Sequence, residues 1–210
     1  MKGKLSFMCA DRARPTARYD EIASHYDGAM RPLERWLLAR LRARVFAALP
    51  ENSRLIEVGA GTGANFSFYP SGTRGAACEL SFEMLKLARV KELDAGVQLV
   101  QSCAEGLPFA DDSFDAAVAT LVFCSVVSPQ QAFAELRRVV RAGGAIALLE
   151  HVRPNGLLGF LFDALNLLTV PLFDDHFNRR TADEARRAGL FVLRVERHAL
   201  GIINLIVCRV

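Results

Sequence analysis

Three glycines at alternate positions follow an apolar run, and this segment is the one best suited to ligand chemistry. The run Leu55–Val58 leads into Gly59-Ala60-Gly61-Thr62-Gly63. Glycine adopts backbone angles that other residues avoid, and it lets a ligand approach the main chain closely. The amides at the start of a following helix would face that ligand. The segment therefore predicts a strand that runs into a nucleotide-binding turn.

The glycines by themselves leave the nucleotide open. Gly59-x-Gly61-x-x-Ala64 also satisfies the relaxed fingerprint of NAD and FAD proteins. A dehydrogenase would need a further catalytic and substrate-binding portion, for which 210 residues leave little room. Features outside the glycine turn are needed to distinguish between these nucleotide ligands.

Strands and helices are predicted to alternate around this turn. Strands are predicted at Arg54–Val58, Gly75–Glu79, Val97–Gln101, Phe114–Val122, Ala145–Leu149, Phe191–Arg197 and Ile202–Val210. Helices are predicted at Arg31–Leu49, Ala64–Tyr69, Ser81–Arg89, Pro129–Arg141, Leu157–Leu168 and Thr181–Ala188. This order is typical of an α/β fold with a doubly wound parallel sheet and helices on both faces. Ligands of such sheets bind at the carboxyl ends of the strands.

Composition narrows the class of protein further. With 51% hydrophobic and 23% charged residues, we expect one globular domain over residues 1–210. A net charge of +3, three Tyr and one Trp do not suggest nucleic acid as a partner. Five widely spaced cysteines form no C-x-x-C pair, so no metal site is predicted and a reducing cytoplasm fits best. Leu157–Phe173 is interrupted by polar residues and Pro171, so no transmembrane helix is predicted.

Four features at the ends of successive strands resemble class I S-adenosylmethionine (SAM) dependent methyltransferases. They are Glu57–Gly63, Glu79, the run Cys103–Phe109 followed by Asp111, Ser113, Phe114 and Asp115, and Leu136–Gly144. The third is similar to the A-E-x-L-P-F…D-x-S-F-D run of the menaquinone and ubiquinone C-methyltransferases. The fourth is similar to their helix ending in L-x-P-G-G. The resemblance covers about residues 19–151, and it favours SAM over NAD or FAD.

The resemblance implies a Rossmann-like SAM methyltransferase fold with an antiparallel C-terminal strand, and it implies roles for particular residues. Gly59, Ala60, Gly61 and Gly63 would pack against the methionine part and ribose of SAM. Glu57 would orient its ammonium group, directly or through water, and Glu79 would bind the ribose hydroxyls. The adenine would lie against Leu80 and Met84, for which core packing is an equally good interpretation.

The same resemblance places further residues around SAM. Ala104 would contact the adenine through its amide, and Cys103 stands where relatives often carry an Asp that accepts from the adenine amino group. Thr120 and Leu121 would line the site near the sulfonium. Asn65 and Glu105 complete the expected SAM-binding set.

Two tyrosines near the N-terminus suggest a lid. Tyr19-Asp20-x-x-Ala23-x-x-Tyr26-Asp27 precedes the first predicted helix and resembles the Y-D-x-x-A-x-x-Y-D entry of the same group. There the segment folds over SAM and excludes water from the cationic centre. We expect a lid over about residues 15–50, with Tyr19 and Tyr26 as SAM contacts and Tyr26 also at the catalytic centre. The alternative is a tyrosine pair that only packs the N-terminal helix on the sheet.

The predicted helix Arg31–Leu49 is amphipathic. Its apolar stripe consists of Leu37, Leu38, Leu41, Val45, Ala48 and Leu49, flanked by Arg35 and Arg42 on one side and by Arg40 and Arg44 on the other. Arginines beside an apolar stripe suit peripheral contact with an anionic membrane, here the inner surface. Core packing with solvated arginines is the commoner explanation of this pattern.

Methyl transfer needs little acid–base chemistry, because the enzyme mainly aligns sulfur, methyl and acceptor. If the acceptor must lose a proton, His151 after strand five is the candidate base, although an ordinary loop histidine explains it equally well. Leu157–Phe173 would wall an acceptor pocket for a small lipophilic molecule, or else form a buried helix. A polar cluster from Asp174 to Arg180 is interpreted mainly as a solvated turn.

The acceptor stays open at this stage. Leu121–Val126 and Leu149–Val152 are similar to the thiol S-methyltransferases, while other features resemble quinone C-methyltransferases and phospholipid headgroup N-methyltransferases. We expect transfer to a phospholipid amine or a quinol carbon, with S-adenosylhomocysteine as the product. A thiol acceptor and a SAM-binding regulator that does not catalyse are the alternatives.

Overall fold

A seven-stranded sheet forms the centre of the structure, which is a computed structural model describing residues 13–93, 96–154, 156, 159–164 and 179–210, with side chains from residue 18. The strands are β1 Arg54–Val58, β2 Arg74–Glu79, β3 Val97–Gln101, β4 Phe114–Thr120, β5 Val140–His151, β6 Phe191–His198 and β7 Ile203–Arg209. Their order in the sheet is β3-β2-β1-β4-β5-β7-β6. β1 to β5 pair in parallel, and β7 runs antiparallel to both its neighbours. The predicted doubly wound sheet with an antiparallel C-terminal strand is confirmed.

Two strands differ from the prediction by more than one residue at an end. β4 ends at Thr120 rather than Val122, because Leu121 takes a left-handed backbone conformation with φ +59° that ends the strand. β5 begins at Val140 rather than Ala145, because Val140 already pairs with Phe114 of β4 across a β-bulge. The Ala142–Gly144 segment therefore lies within β5 and does not end a helix.

The first helix starts much earlier than predicted. α1 spans Ala13–Leu33, a π-helical segment spans Glu34–Leu38, and α2 spans Ala39–Phe46. Pro32 lies inside this helical run and lacks the N–H of a regular helical turn, and the wider π-turns follow directly after it. The helix is thus locally irregular at Pro32 without ending there, so the predicted lid residues Tyr19 and Tyr26 lie on α1 instead of preceding a helix.

The remaining described helices are close to the predicted ones. α3 spans Phe82–Arg89 with Ser81 as its N-cap, whose Oγ accepts from Met84 N. α4 spans Pro129–Val139 and α5 spans Thr181–Arg187. The predicted helix Ala64–Tyr69 is instead a series of turns and a short 3₁₀-helix, Phe66–Phe68, because the Asn65 side chain binds buried partners and does not cap a helix.

The two faces of the sheet are covered by different helices. The π-helical segment and α2 pack on one face, where Leu38, Leu41 and Val45 are buried against β1, β4, β5 and β7. α4 and α5 cover the other face. The apolar stripe predicted for a membrane therefore belongs mainly to the core, and Arg42, placed on its solvated flank, is only 5% exposed.

Part of the predicted acceptor segment Leu157–Phe173 lies outside the described residues. Residues 159–164 are helical, and Asp174–Asn178 are outside the description as well. Within the described parts of the chain, no helix is long and apolar enough to cross a membrane. No His, Cys, Asp and Glu cluster suited to a metal ion occurs there either.

Candidate active site

A cavity lies over the carboxyl ends of β1, β2 and β4. Together with the open solvent at its mouth, it encloses about 800 Å³. The predicted site residues that line it are Tyr19, Tyr26, Gly59, Gly61, Glu79, Leu80, Met84, Ala104, Glu105, Thr120 and Leu121. Val58, Ser102, Val122, Ser125, Val126 and Val127 line it as well, and sequence reasoning did not single them out as site residues.

The glycine turn forms one edge of the cavity. Gly59 has φ +73°, and a Cβ on it would lie 2.2 Å from a methyl group of Val122. Only glycine therefore allows β1 and the segment after β4 to approach each other here. The amides of Gly59 and Ala60 both donate to Cys78 O, at 2.8 and 2.9 Å, which ties the turn to the end of β2.

Glu79 stands at the end of β2 and joins the glycine turn to α3. Its Oε2 accepts from Gly61 N at 2.9 Å, and its Oε1 accepts from Ser81 N at 2.8 Å. Burial raises the pKa of this carboxyl, and the backbone N–H donors partly oppose that shift. A carboxylate has about four lone-pair positions, so an anionic Glu79 keeps acceptor capacity for hydroxyl groups in the cavity.

The neighbouring wall is apolar. Leu80 and Met84 line the cavity, and Met84 is also buried in the protein, so the two interpretations of these residues hold together. Ala104 and Ser102 line it after β3. Cys103 is buried and is not among the lining residues, and its backbone forms an isolated β-bridge with Gly106. Leu80, Met84 and Ala104 together provide a surface suited to a flat aromatic ring.

α1 covers the cavity and is fastened on three sides. Tyr19 OH lies 2.7 Å from Ser125 Oγ, beyond β4. Asp20 accepts from the Ser81 hydroxyl and from Glu83 N, at the start of α3. Asp27 accepts from Thr62 Oγ1 at 2.5 Å and pairs with Lys91 at 2.7 Å. The Tyr-Asp pattern therefore supplies the bonds of a lid, with Tyr26 on its cavity side.

A buried polar network lies beneath the glycine turn. Glu57 is 0% exposed, and its carboxylate accepts from Asn65 Nδ2 and from the Tyr69 hydroxyl. Asn65 Nδ2 also donates to Thr120 Oγ1 at 2.9 Å, and Arg42 Nη1 donates to both Asn65 Oδ1 and Thr120 Oγ1 at 2.6 Å. Glu57 and Asn65, both predicted SAM contacts, are thus not in the cavity wall, which only Thr120 of this network reaches.

Other predicted residues also lie outside the wall. Ala60 and Gly63 are not among the lining residues, and a Cβ on Gly63 would lie 2.5 Å from the Phe66 ring. Their positions shape the turn without lining the cavity. The glycine pattern predicts Ala60 and Gly63 as site residues. The close packing around that pattern depends on the folded chain and is not visible in the pattern.

The loop after β4, residues 121–128 (the β4 loop), is held by two buried carboxylates and by the partly buried Arg179. Glu150 accepts from Val122 N and Phe123 N, and Glu105 accepts from Val127 N and Ser128 N. Arg179 donates to Phe123 O and Val126 O, each at 2.7 Å. Burial lowers the pKa of the Arg179 guanidinium. Arg179, interpreted from sequence as part of a solvated turn, therefore shapes the cavity wall.

His151 lies at the end of β5 and is not among the residues that line the cavity. Its ring stacks on Phe162 with 5.7 Å between centroids. Burial lowers the pKa of this imidazole to about 4, so it is neutral at pH 7. A neutral imidazole is able to accept a proton, but the described geometry does not bring it to the cavity.

These features fit SAM. A carboxylate beside two backbone amides suits a ribose diol, the apolar wall suits an adenine, and the buried carboxylate of Glu57 below the turn suits a cationic methionine part. The family model described as "Methyltransferase domain" matches residues 56–148. Fold, glycine turn and family model agree, and the chain belongs to the class I SAM-dependent methyltransferases. The family implies SAM as its cofactor.

Curated relatives of two kinds are similar to this chain. A human thiol S-methyltransferase, TMT1B, is 39% identical over 114 residues, which are 51% of this chain and 47% of that one. A demethylmenaquinone methyltransferase of Clavibacter sepedonicus is 34% identical over 146 residues, 66% of this chain and 58% of that one. The chain thus spans about half of the length of these relatives.

Solved structures agree on the fold. The partner of the Trm112 methyltransferase activator in a Haloferax volcanii complex has a TM-score of 0.72 at 18% identity, covering 91% of this chain and 96% of its own. A SAM-dependent methyltransferase of Thermotoga maritima has a TM-score of 0.68 at 24% identity, covering 92% and 98%. At these identities the likeness concerns the fold.

Proposed function

We propose that the protein transfers a methyl group from SAM to a small apolar acceptor, with residues 1–210 acting as one methyltransferase domain. SAM, when bound, supplies a methyl group carried on a sulfonium. One observation carries the proposal: a single cavity joins the glycine turn and Glu79 to an apolar wall under a lid that bears two tyrosines. The turn and Glu79 suit the donor, and the apolar wall suits the acceptor.

The donor half of the cavity binds by shape and charge. Glu79 accepts the ribose hydroxyls with the lone pairs that Gly61 N and Ser81 N leave over. Leu80 and Met84 pack against the adenine, and the amide of Ala104 is the expected hydrogen-bond donor to it. Glu57 acts from beneath the turn, where its negative charge attracts the ammonium group of the methionine part.

The lid and the β4 loop align the reactants and exclude water. Tyr19, bonded to Ser125, closes α1 against the β4 loop, and Tyr26 faces the cavity beside it. Exclusion of water strengthens the attraction between the charged groups that remain inside. Loop residues held by Glu150, Glu105 and Arg179 keep the acceptor wall in one shape, which favours alignment of the reacting atoms.

The acceptor is a small lipophilic molecule. Leu121, Val122, Val126 and Val127 give the side of the cavity next to the lid an apolar lining. We rank a thiol first among the acceptors because of the similarity to TMT1B. A quinol carbon is ranked second because of the similarity to the demethylmenaquinone methyltransferases. A phospholipid amine is the third candidate. His151 as general base stays a prediction that applies where the acceptor must lose a proton.

Labelled donor separates these candidates. The protein is incubated with methyl-labelled SAM and, separately, with an alkyl thiol, demethylmenaquinol and phosphatidylethanolamine, and label in each extracted product is counted. Transfer to one pool, together with release of S-adenosylhomocysteine, supports the proposal and names the acceptor class. No transfer to any pool by protein that binds S-adenosylhomocysteine would instead support a regulator that holds SAM without turnover.

Membrane contact forms a separate part of the proposal. Trp36 is 84% exposed and Leu33 is 41% exposed, next to the exposed Arg31, Arg35 and Arg40. An exposed indole among arginines suits the surface of an anionic bilayer. A cytoplasmic protein at the inner membrane surface would meet such a bilayer, and a reducing compartment suits the buried thiols of Cys78, Cys103, Cys124 and Cys208.

Liposome sedimentation tests that contact. We expect the protein to sediment with vesicles that contain phosphatidylglycerol and not with pure phosphatidylcholine, and we expect Trp36→Ala to reduce the bound fraction. Protein that stays in the supernatant with both vesicle types would remove membrane contact and leave the methyl-transfer proposal unaffected.

A further inference from the structure

Arg42 is a buried charge that the packing of α2 on the sheet does not explain. Only 5% of the residue is exposed, and its guanidinium makes a bidentate contact with Glu34 through Nε and Nη2. Nη1 points the other way and donates to Asn65 Oδ1 and Thr120 Oγ1 at 2.6 Å. A buried ion pair is on average no more stable than well-packed apolar residues of similar size. We therefore sought a role for Arg42 in the site.

The contacts of Arg42 dictate how Asn65 is oriented. Arginine only donates hydrogen bonds, and a carboxylate only accepts them. The Asn65 amide must therefore turn its oxygen to Arg42 and its nitrogen to Glu57, as observed. Without the guanidinium, the amide loses the group that keeps its donor side facing Glu57. The hydrogen bonds from Arg42 to Asn65 and from Asn65 to Glu57 thus link α2 to the end of β1, which leads into the glycine turn.

The charges in this network do not cancel. Glu34 and Arg42 form an ion pair with 2.6 Å between Nη2 and Oε1, which leaves an ionised Glu57 as a buried negative charge. Burial raises the pKa of Glu57, and hydrogen bonds from Tyr69 and Asn65, together with the charge of Arg42, lower it. The charge of Glu79 on β2 raises it further.

Two further titratable groups near Glu57, the Tyr69 hydroxyl and the Cys78 thiol, are neutral at neutral pH. Burial, followed by the charge of Glu57, raises the pKa of Tyr69 well above its usual value, so its hydroxyl stays a donor. Burial raises the pKa of the Cys78 thiol to about 12. Arg42 is therefore the cation that acts on Glu57 from within the described network, and a cationic ligand above the turn would be the second.

We propose that Arg42 is a positioning residue for SAM binding: through Asn65 it orients the Glu57 carboxylate beneath the glycine turn, and its charge favours the ionised form of that carboxylate, which attracts the ammonium group of the ligand. The inference rests on the proposed function, since it requires that the cavity binds SAM. It gives α2 a part in ligand binding although Arg42 itself does not line the cavity.

The dissociation constant of S-adenosylhomocysteine as a function of pH tests this role. S-adenosylhomocysteine keeps the ammonium and ribose groups of SAM. Calorimetric titrations between pH 6 and 9 compare the wild type with Arg42→Met. Arg42→Lys keeps the charge, and Arg44→Met on the same helix is the matched control, because Arg44 is 56% exposed and pairs with Glu196 at the surface. At each pH, the ratio of variant to wild-type Kd removes the titration of the ligand's own amino group.

We expect the ratio for Arg42→Met to be large at pH 6 and to fall towards pH 9. Loss of the guanidinium raises the pKa of Glu57, and each unit of pH below that raised pKa lowers the ionised fraction of the carboxyl about tenfold, until the wild-type carboxyl protonates as well. Arg42→Lys should show a smaller ratio that varies little with pH. Arg44→Met should give a ratio close to one throughout.

A ratio for Arg42→Met that is the same at every pH would overturn the inference, since a purely structural loss does not follow the titration of Glu57. So would an Arg44→Met profile of the same shape. If Arg42→Met does not fold, Arg42→Gln, which is neutral but keeps a donor for Asn65, replaces it in the same comparison. Wild-type protein that binds no S-adenosylhomocysteine at any pH would instead refute the proposed function, so the two failures are distinguishable.

Discussion

The substitution Glu79→Gln tests the assignment of the ribose site most directly. In the structure, Glu79 receives one hydrogen bond from the glycine turn and one from the start of α3, at 2.9 and 2.8 Å. Glutamine keeps the length and shape of the side chain and removes its charge and one acceptor oxygen. Its NH2 group would face one of the two backbone N–H donors, and the ribose would share with the other donor the one oxygen that remains.

The loss of affinity follows from the strength of charged and neutral hydrogen bonds. A bond to a charged group contributes about 1.5–3 kcal/mol and a neutral one about 0.5–1.5 kcal/mol. Two ribose hydroxyls would thus each lose about 1–1.5 kcal/mol, or roughly 2–3 kcal/mol together. That corresponds to an increase of roughly 30- to 150-fold in the Kd of S-adenosylhomocysteine.

Isothermal titration of S-adenosylhomocysteine measures this change. Glu83→Gln is the matched control, because Glu83 is a partly exposed residue of α3 that pairs with Lys86 at the surface. Circular dichroism and thermal unfolding check that both variants fold. A Kd for Glu79→Gln within twofold of the wild type, in a folded protein, would refute the ribose role and with it the placement of SAM over β2.

Three further outcomes are expected. Tyr19→Phe removes the bond to Ser125 from the lid, which should cost about 0.5–1.5 kcal/mol and raise the Kd about 2- to 12-fold, with unchanged affinity arguing against closure through this bond. Burial raises the pKa of Glu57 and Glu79 in the ligand-free fold. The stability that their protonated forms contribute is therefore fully present below the unfolded pKa of about 4.3, and it is lost as the pH rises through the folded pKa. Melting temperatures should therefore show a steeper relative decline with rising pH in the wild type than in Glu79→Gln; parallel curves would contradict this. If His151 is the base, His151→Gln should lower kcat at least about 10²-fold, whereas an unchanged kcat would leave it a residue that packs on Phe162.

Much of the fold followed from local patterns. β1 and β3 have the predicted bounds, because short apolar runs between turn residues are a local signal. α3 begins directly after Ser81, where the predicted helix starts. The predicted end of β4 was wrong because Leu121 takes a left-handed backbone conformation, and the predicted start of β5 was wrong because pairing of Val140 with the distant Phe114 decides it. The predicted start of the first helix at Arg31 was wrong, because the helical run already begins at Ala13 and continues through Pro32 into a π-helical segment.

The site was predictable in part for a similar reason. Residues at strand ends, such as Gly59, Glu79 and Thr120, meet at one edge of any parallel sheet, so their order along the chain was sufficient. Asn65 was assigned to the ligand, although it belongs to the network beneath the turn. Arg179 follows no local pattern, and its partners Phe123 and Val126 lie more than fifty residues away.

The amino-acid sequence by itself determined that this chain builds a doubly wound sheet with a SAM-type glycine turn, because both depend on residue type and spacing over short distances. Only the tertiary structure decided that the arginine-flanked stripe of α2 faces the core and that Arg42 lies inside it. The helical periodicity places Arg42 at the border of the apolar stripe, where either solvent or protein could meet it. Its partners Asn65 and Thr120 are 23 and 78 residues further along the chain, and only the folding of β1 and β4 side by side brings both to the same guanidinium.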